Sequence, residues 1–433
     1  MIRKILERAM KMADAAEVFY TEGETRRAEF ENNRLKYITT KSSWGAGLRV
    51  IKNGRIGFSS TTDLARADEL AAHALESAKY GQEARFSFPS SVQPAPVSVY
   101  DPKVARFPIE EGVKRTAAAI DSVRAASPRI QCGGEVGRRI GRKRIMNSAG
   151  LDTNFEYTEF DCALFGLLVR DGSLLNVGDH DASCSLIDKW DAQAGKLIAD
   201  IKGAERELVP KSGSYPAIFT PDAVDSLIVS FEQGVNGKLV QKRISPFTGR
   251  LGEQIVDTRI TLTDDGTINY AAGSSPVDCE GLPVRRNVLF DRGVLKSFIF
   301  DMQTAAVMGA QPTGSGMRGY NRQPSPDICN LMIKPGDTSF SAMVAGMKRG
   351  LIVDQLLGAG QSNTLAGEFS ANVDLGFLVE NGEIVGRVKD CMVAGNVFEM
   401  FRSNIIALGD TAELKGDFSC PHFQADGLSL AAG

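Results

Sequence analysis

The sequence predicts an α+β protein of two domains: a mixed α/β N-terminal domain over residues 1–210 and a β-rich C-terminal domain with a few helices over 211–433. Three observations predict it. A chain of 433 residues is longer than one hydrophobic core usually serves. Short alternating segments bounded by turn pairs recur in both halves, and they do not alternate with helices as a parallel βαβ sheet requires. Lys211-Ser212-Gly213-Ser214 is a polar junction followed by a strand candidate.

In chain order, Ile2, Ile5, Leu6, Ala9, Met12 and Ala13 form the apolar stripe of an N-terminal helix. Strands are predicted at Glu17–Thr21, Thr25–Glu31 and Arg34–Thr40. Gly45–Thr61 reads as a hairpin turning at Asn53-Gly54. Asp63 is placed to cap a helix running to about Tyr80, with Gly81 in the left-handed position after it. Phe86–Pro108 holds five prolines and reads as an extended crossing segment, anchored by Val97, Val99, Tyr100 and Phe107. A helix from Pro108 to about Ala126 precedes strands at Gln131–Val136, Arg139–Asn147 and Thr153–Arg170, with turns at Asn147–Gly150 and Asp171-Gly172. The first domain ends in a helix from about Asp188 to Leu208.

In the second domain a strand at Tyr215–Phe219 feeds a helix. Thr220 is its N-cap and Pro221 its first residue, Val224, Leu227, Ile228 and Phe231 share one face, and Gly234 and Gly237 stop it. Further strands are predicted at Ile255–Leu262, Val288–Phe290, Val294–Phe300, Phe369–Val379 and Arg387–Val393, with turns at Asp265-Gly266, Asp291–Gly293 and Asn381-Gly382. Helices are predicted at Asp301–Met308 and Ser339–Gly350.

Composition excludes some function classes. A formal charge of −3 with 24% charged residues does not describe a polyanion binder. No apolar run is long enough to span a membrane, and the N-terminus lacks the uninterrupted apolar stretch of a signal peptide. Seven scattered cysteines without C-x-x-C spacing fit reduced thiols, and a cytoplasmic location is expected. The basic runs Arg138–Arg144 and Lys238–Arg243 are short and fit solvated faces.

The helix at Pro221 and the loop after it, SPFTGRLGEQIVD over Ser245–Asp257, resemble the corresponding segments of the TldD/PmbA family, the modulators of DNA gyrase, which are metallopeptidases of paired subunits. Glu31, Asn32, Gly45, Gly47, Arg49 and Val50 resemble the N-terminal pattern of the same family, although these glycines also fit plain turn and strand-packing roles. In catalytic subunits the helix bears HExxxH, whose imidazoles bind zinc while the glutamate serves as base. Here Ser230–Gly237 reads SFEQGVNG, with Glu232 as a lone acid and no histidine. The resemblance therefore implies a PmbA/TldE-type subunit with no catalytic residues and no metal of its own. Its zinc is expected in a TldD-type partner, with a homodimer as the alternative assembly and unfolded peptides as substrates.

The resemblance also implies candidate peptide contacts. Gly314, Gly316 and Arg318, in the Gly-rich segment Pro312–Pro326, could offer backbone N–H groups and a charged anchor, or could belong to a plain mobile loop. Ser370 and Asn372 lie on a late strand that would close the site, or on an ordinary half-buried hairpin. Cys420 falls about where catalytic subunits carry a third zinc ligand, and His422 shares its strand face. Two rivals remain open: a self-sufficient hydrolase using Cys420, His422 and Glu232, and a gyrase- or nucleic-acid-associated regulator.

Overall fold

The computed structural model describes residues 1–170 and 173–433; the turn expected at Asp171-Gly172 lies outside the described residues. Its first half contains α1 (Ile2–Met10), β1 (Ala15–Glu31), β2 (Arg34–Lys52), β3 (Arg55–Thr61), α2 (Ala67–Ala78), α3 (Pro102–Arg106), α4 (Ile109–Ala126), β4 (Gln131–Asn147), β5 (Asp152–Arg170), β6 (Ser173–Ser183) and α5 (Trp190–Gly203). The six strands form one antiparallel sheet in the order β3-β2-β1-β4-β5-β6.

Strand pairs expected as separate pieces are continuous. β1 absorbs two of them, and the chain reverses at Asn32-Asn33, both left-handed with φ of 49° and 66°. Asparagine tolerates that region, and two such residues make the twisted turn that hairpins prefer. The Asn53-Gly54 turn forms as expected. Helix α2 starts later than expected, because Asp63 accepts from the Ala65 N–H in a preceding turn. Gly81 is not left-handed. A Cβ there would meet the Ile56 carbonyl oxygen at 1.7 Å, so close backbone approach requires the glycine.

One face of this sheet takes α1 and α2 at one end, where Ile5 and Ala9 meet Val18, Leu48, Leu70 and Ala74. Helices α4 and α5 cover the other end, where Ile120, Val123 and Leu197 meet Val136, Phe160 and Leu164. Helix α5 stops at Gly203, short of the expected Leu208.

The second half contains β7 (Glu207–Leu208), β8 (Gly213–Phe219), α6 (Pro221–Val235), α7 (Gly237–Gln241), β9 (Leu262–Asp265), β10 (Arg286–Asp291), β11 (Val294–Leu295), α8 (Met302–Met308), β12 (Gly316–Met317), β13 (Ser325–Pro326) and β14 (Leu331–Ile333). After these come α9 (Phe340–Ala345), β15 (Arg349–Leu357), β16 (Glu368–Glu380), β17 (Glu383–Val388), β18 (Cys391–Asn396), α10 (Val397–Arg402), β19 (Ile405–Leu408), β20 (Leu414–Lys415), β21 (Phe418–Ser419) and β22 (Phe423–Ala432). An eight-stranded sheet runs β15-β8-β22-β18-β16-β17-β7, with β19 beside β22. A six-stranded sheet runs β11-β10-β9-β14-β21-β20, and α6 joins both sheets in one core.

Several local expectations change in this context. Residues 255–261 are irregular and tied to the Gly293 and Phe401 carbonyls, so only Leu262–Asp265 of that region pairs as a strand. The helix expected through Gly350 ends at Ala345. The apolar run from Leu351 to Val353 becomes a buried strand instead, parallel to β8 and antiparallel to β16. Helix α6 runs through Gly234, whose missing Cβ makes room for the Phe247 ring; the direction changes at Asn236. The α+β class and the two-domain layout stand. Among the described residues no helix is long and apolar enough to cross a membrane, and all seven cysteines are free and buried.

The two halves dock through a buried ionic cluster. Glu17 of β1 and Arg49 of β2 meet Glu280 and Arg318 from the second half, all at most 2% exposed in their side chains. Arg49 bonds Glu280 at 2.7 Å and Glu17 at 3.1 Å, and Glu17 also takes Arg318. Gly45 and Gly47 have a reason to be bare. Cβ atoms there would meet the Tyr320 ring and the Tyr320 carbonyl oxygen, each at 2.4 Å.

Candidate functional site

Helix α6 borders a cleft between the two halves. Thr220 caps it, Pro221 opens it, and Val224, Leu227, Ile228 and Phe231 point into the core. Its other side carries Asp222, Asp225 and Glu232. Opposite stand Asp179, His180 and Asp181 of β6, and Lys415 lies beside them on β20. The cavity at the helix N-terminus is about 390 Å³ and is lined by six carboxylates, three lysines, His180 and His422.

Most of the charge there is paired. Lys415 bridges Asp222, at 3.0 Å, and Asp179. Lys196 holds Asp354 at 3.2 Å, Lys189 holds Glu413 at 2.5 Å, and Asp181 accepts from the Gly416 N–H at 3.1 Å. Asp225 has no lysine or arginine within 4 Å among the described residues. It lies within electrostatic reach of Asp417 and His180, and Glu232 lies within reach of Asp225, Asp327 and Asp417.

Burial pushes the Glu232 carboxyl up to about 7, and the neighbouring Asp225, Asp327 and Asp417 push in the same direction. Burial and the Asp417 charge raise Asp225 likewise. A carboxyl raised in the folded state holds a proton that the unfolded chain releases near 4.5. Glu232 therefore makes stability fall as pH rises from about 4.5 to about 7. Glu232→Gln is expected to flatten that fall and raise the melting temperature at pH 8 relative to the parent, leaving it nearly unchanged at pH 4. Parallel thermal melts across that range check it.

The residues expected to contact peptide separate into two groups. Gly314 is left-handed (φ 71°) and packs under the Pro283 carbonyl. The Gly316 N–H donates to Asp278 Oδ2 at 3.0 Å. Arg318, expected as an anchor on a surface loop, is buried: its Nε donates to the Cys279 carbonyl at 3.1 Å and its other arm pairs with Glu17. The Gly316 donor thus serves the second half's own packing, and Arg318 serves docking of the two halves. Ser370 and Asn372 are exposed on one face of β16, and no hydrogen bond of Gly316 or Arg318 reaches them.

Cys420 and His422 do not converge. The Cys420 thiol is buried, pushed well up by burial, and donates to the Pro421 carbonyl at 3.0 Å. His422 lies against the Phe340 ring at 4.5 Å, and burial lowers its affinity for a proton. What the sequence did not reveal is that His422 and His180, 242 positions apart, line the same cavity. No local signal could have joined them. Among the described residues no three histidine, cysteine or acidic side chains converge as a metal site. Zinc wants four tetrahedral donors with nitrogen or sulfur prominent, and the α6 donor set of carboxylates alone does not fit it. Glu232, raised to about 7, is by itself a carboxyl without a metal to acidify a water for it.

The cleft can hold cationic or hydrogen-bond-donating parts of a ligand, and relatives of the chain place it in context. Over 93–96% of its length it is 25% identical to an uncharacterized protein of Methanocaldococcus jannaschii and to the metalloprotease PmbA of Escherichia coli O157:H7, covering 94% of each. It is 34% identical over 241 residues to a metalloprotease TldD homolog of Haemophilus influenzae, spanning about half (48%) of that protein's length. The fold matches the crystal structure of TldE from Thermococcus kodakarensis with a TM-score of 0.90, covering 100% of this chain and 99% of that one at 23% identity. Sequence models of the PmbA/TldA metallopeptidase domain 1 and C-terminal domain match residues 16–78 and 212–432. The second match alone takes in half of the chain, which belongs to the PmbA/TldA metallopeptidase family.

Proposed function

We propose that this chain is a PmbA/TldE-type subunit that pairs with a zinc-bearing TldD-type subunit in the proteolysis of unfolded peptides, and is itself non-catalytic. The observation that carries the proposal is α6. At the place where a catalytic subunit would present two imidazoles, this helix carries one carboxylate, Glu232, and buries Phe231 in the core. The chain's own contribution is then to bind and orient. The exposed Ser370 and Asn372 on β16 can meet a peptide, and the acidic cleft can hold its amine groups. A homodimer is the assembly expected when no partner is present, and a cytoplasmic location fits the seven free cysteines.

The rivals draw less support. Cys420, His422 and Glu232 would have to share a site for independent hydrolysis, and the first two point to different partners. For nucleic acid, the Arg138–Arg144 run is not a surface stripe. Arg138 is 9% exposed, and Arg144 is paired with Asp152 at 2.8 Å.

The test is zinc content of the purified chain together with hydrolysis of an unfolded peptide, alone and mixed with an HExxxH-bearing partner. No stoichiometric zinc, no turnover alone and turnover in the mixture beyond that of the partner alone are expected. Stoichiometric zinc with activity in the chain alone would overturn the proposal.

A further inference from the structure

On the side formed by α7, β10–β11 and α8 lies a second groove, of about 830 Å³. Its charge is opposite to that of the cleft. Arg243, Arg285 and Lys296 line it, all exposed, and no carboxylate does. None of the three forms an ion pair within 4 Å among the described residues, although the whole chain is acidic at −3. Between the cations the groove is aliphatic: Leu251, Val307 and Met308 are 58%, 42% and 40% exposed. Isolated apolar side chains at a surface need no explanation, but a groove that combines them with unpaired cations of one sign does.

The backbone adds an independent observation. Arg243 follows the last turn of α7 in the left-handed region (φ 58°), its N–H bonded to the Val240 carbonyl at 2.9 Å. Glycine is the residue that relaxes such a position, and an arginine there holds its charge over the groove at the expense of local strain.

We infer that this groove is a docking site for an extended acidic polypeptide segment bearing aliphatic side chains, separate from the acidic cleft. Three cations around an aliphatic floor complement alternating acidic and leucine-like residues, and the volume falls within the range of ligand sites, roughly 300–1,000 Å³. Nucleic acid fits less well. The two rings at the groove, Phe298 and Phe300, are each 7% exposed and offer no stacking platform. The acidic cleft repels such a segment, so the two surfaces sort ligands by sign.

Fluorescence anisotropy with a labelled, acetylated (Leu-Glu)4 peptide amide tests this on the full chain. Binding that weakens with salt is expected, whereas binding of the (Leu-Lys)4 counterpart belongs to the acidic cleft and should not weaken when the groove charges are reversed. Reversing all three charges (Arg243→Glu, Arg285→Glu, Lys296→Glu) should weaken binding by about tenfold or more. Arg243→Gly removes one cation while relieving the strained backbone. It should bind about threefold more weakly with a melting temperature no lower than the parent's. Affinity unchanged by the triple reversal, lysine-peptide binding that is lost on the triple reversal, or tighter binding of a dT12 oligonucleotide or of oleate would each overturn the inference.

Discussion

Glu17→Gln is expected to destabilise the protein by about 3–5 kcal/mol and to split its unfolding into two transitions. Glu17 is fully buried and is the one carboxylate shared by Arg49 and Arg318. Arg49 would keep Glu280 at 2.7 Å, and Arg318 would keep only the Cys279 carbonyl at 3.1 Å. A guanidinium buried without a counter-charge is what makes removing one partner so much more damaging than the net worth of the pair. The Phe19 ring, 4.8 Å from the Arg318 guanidinium, and the Phe86 ring, 4.7 Å from that of Arg49, return only part of the loss. Because the cluster joins β1 and β2 to the second half, the variant should lose docking before it loses either core. Urea unfolding followed by fluorescence and by circular dichroism reads both effects. A single unshifted transition would mean that the cluster contributes little to holding the halves together.

Phe231→Ala is expected to cost about 3–5 kcal/mol, as large-to-small changes of a buried aromatic do. Phe231 is 1% exposed, with the rings of Phe401, Phe398, Phe290 and Phe247 at 4.9, 5.3, 5.8 and 6.0 Å. These rings come from α6, α10, β10 and the loop after α7, so the cavity would open where both sheets meet the helix. Phe231→Leu should recover more than half of the loss, since it restores most of the volume but not the edge-to-face contacts. Denaturant midpoints of the two variants decide it. A loss under about 1 kcal/mol for Phe231→Ala would mean that the surrounding rings collapse into the space.

Much of this protein was legible in its sequence because the signals were local. The α6 stripe, its Thr220-Pro221 start, the Asn53-Gly54 and Asn381-Gly382 turns and the helix at Asp301–Met308 each act over a few residues, and each forms as read. The absence of histidine from Ser230–Gly237 is equally a property of the sequence.

Other features depended on what came to lie alongside. Arg349 and Gly350 read as the end of a helix, and burial of the following Leu351–Val353 between two strands drew them into β15, since a short apolar run carries no period of its own. Gly45 and Gly47 look like turn residues until Tyr320 is placed against them from 275 and 273 positions away. Arg318 looks like a loop anchor until Glu17 is found beneath it. The sequence by itself determined the class, the elements with local signals and the absence of histidine from Ser230–Gly237. Only the tertiary structure decided which charges are buried ties and which face solvent, because burial and counter-charge are set by residues hundreds of positions apart.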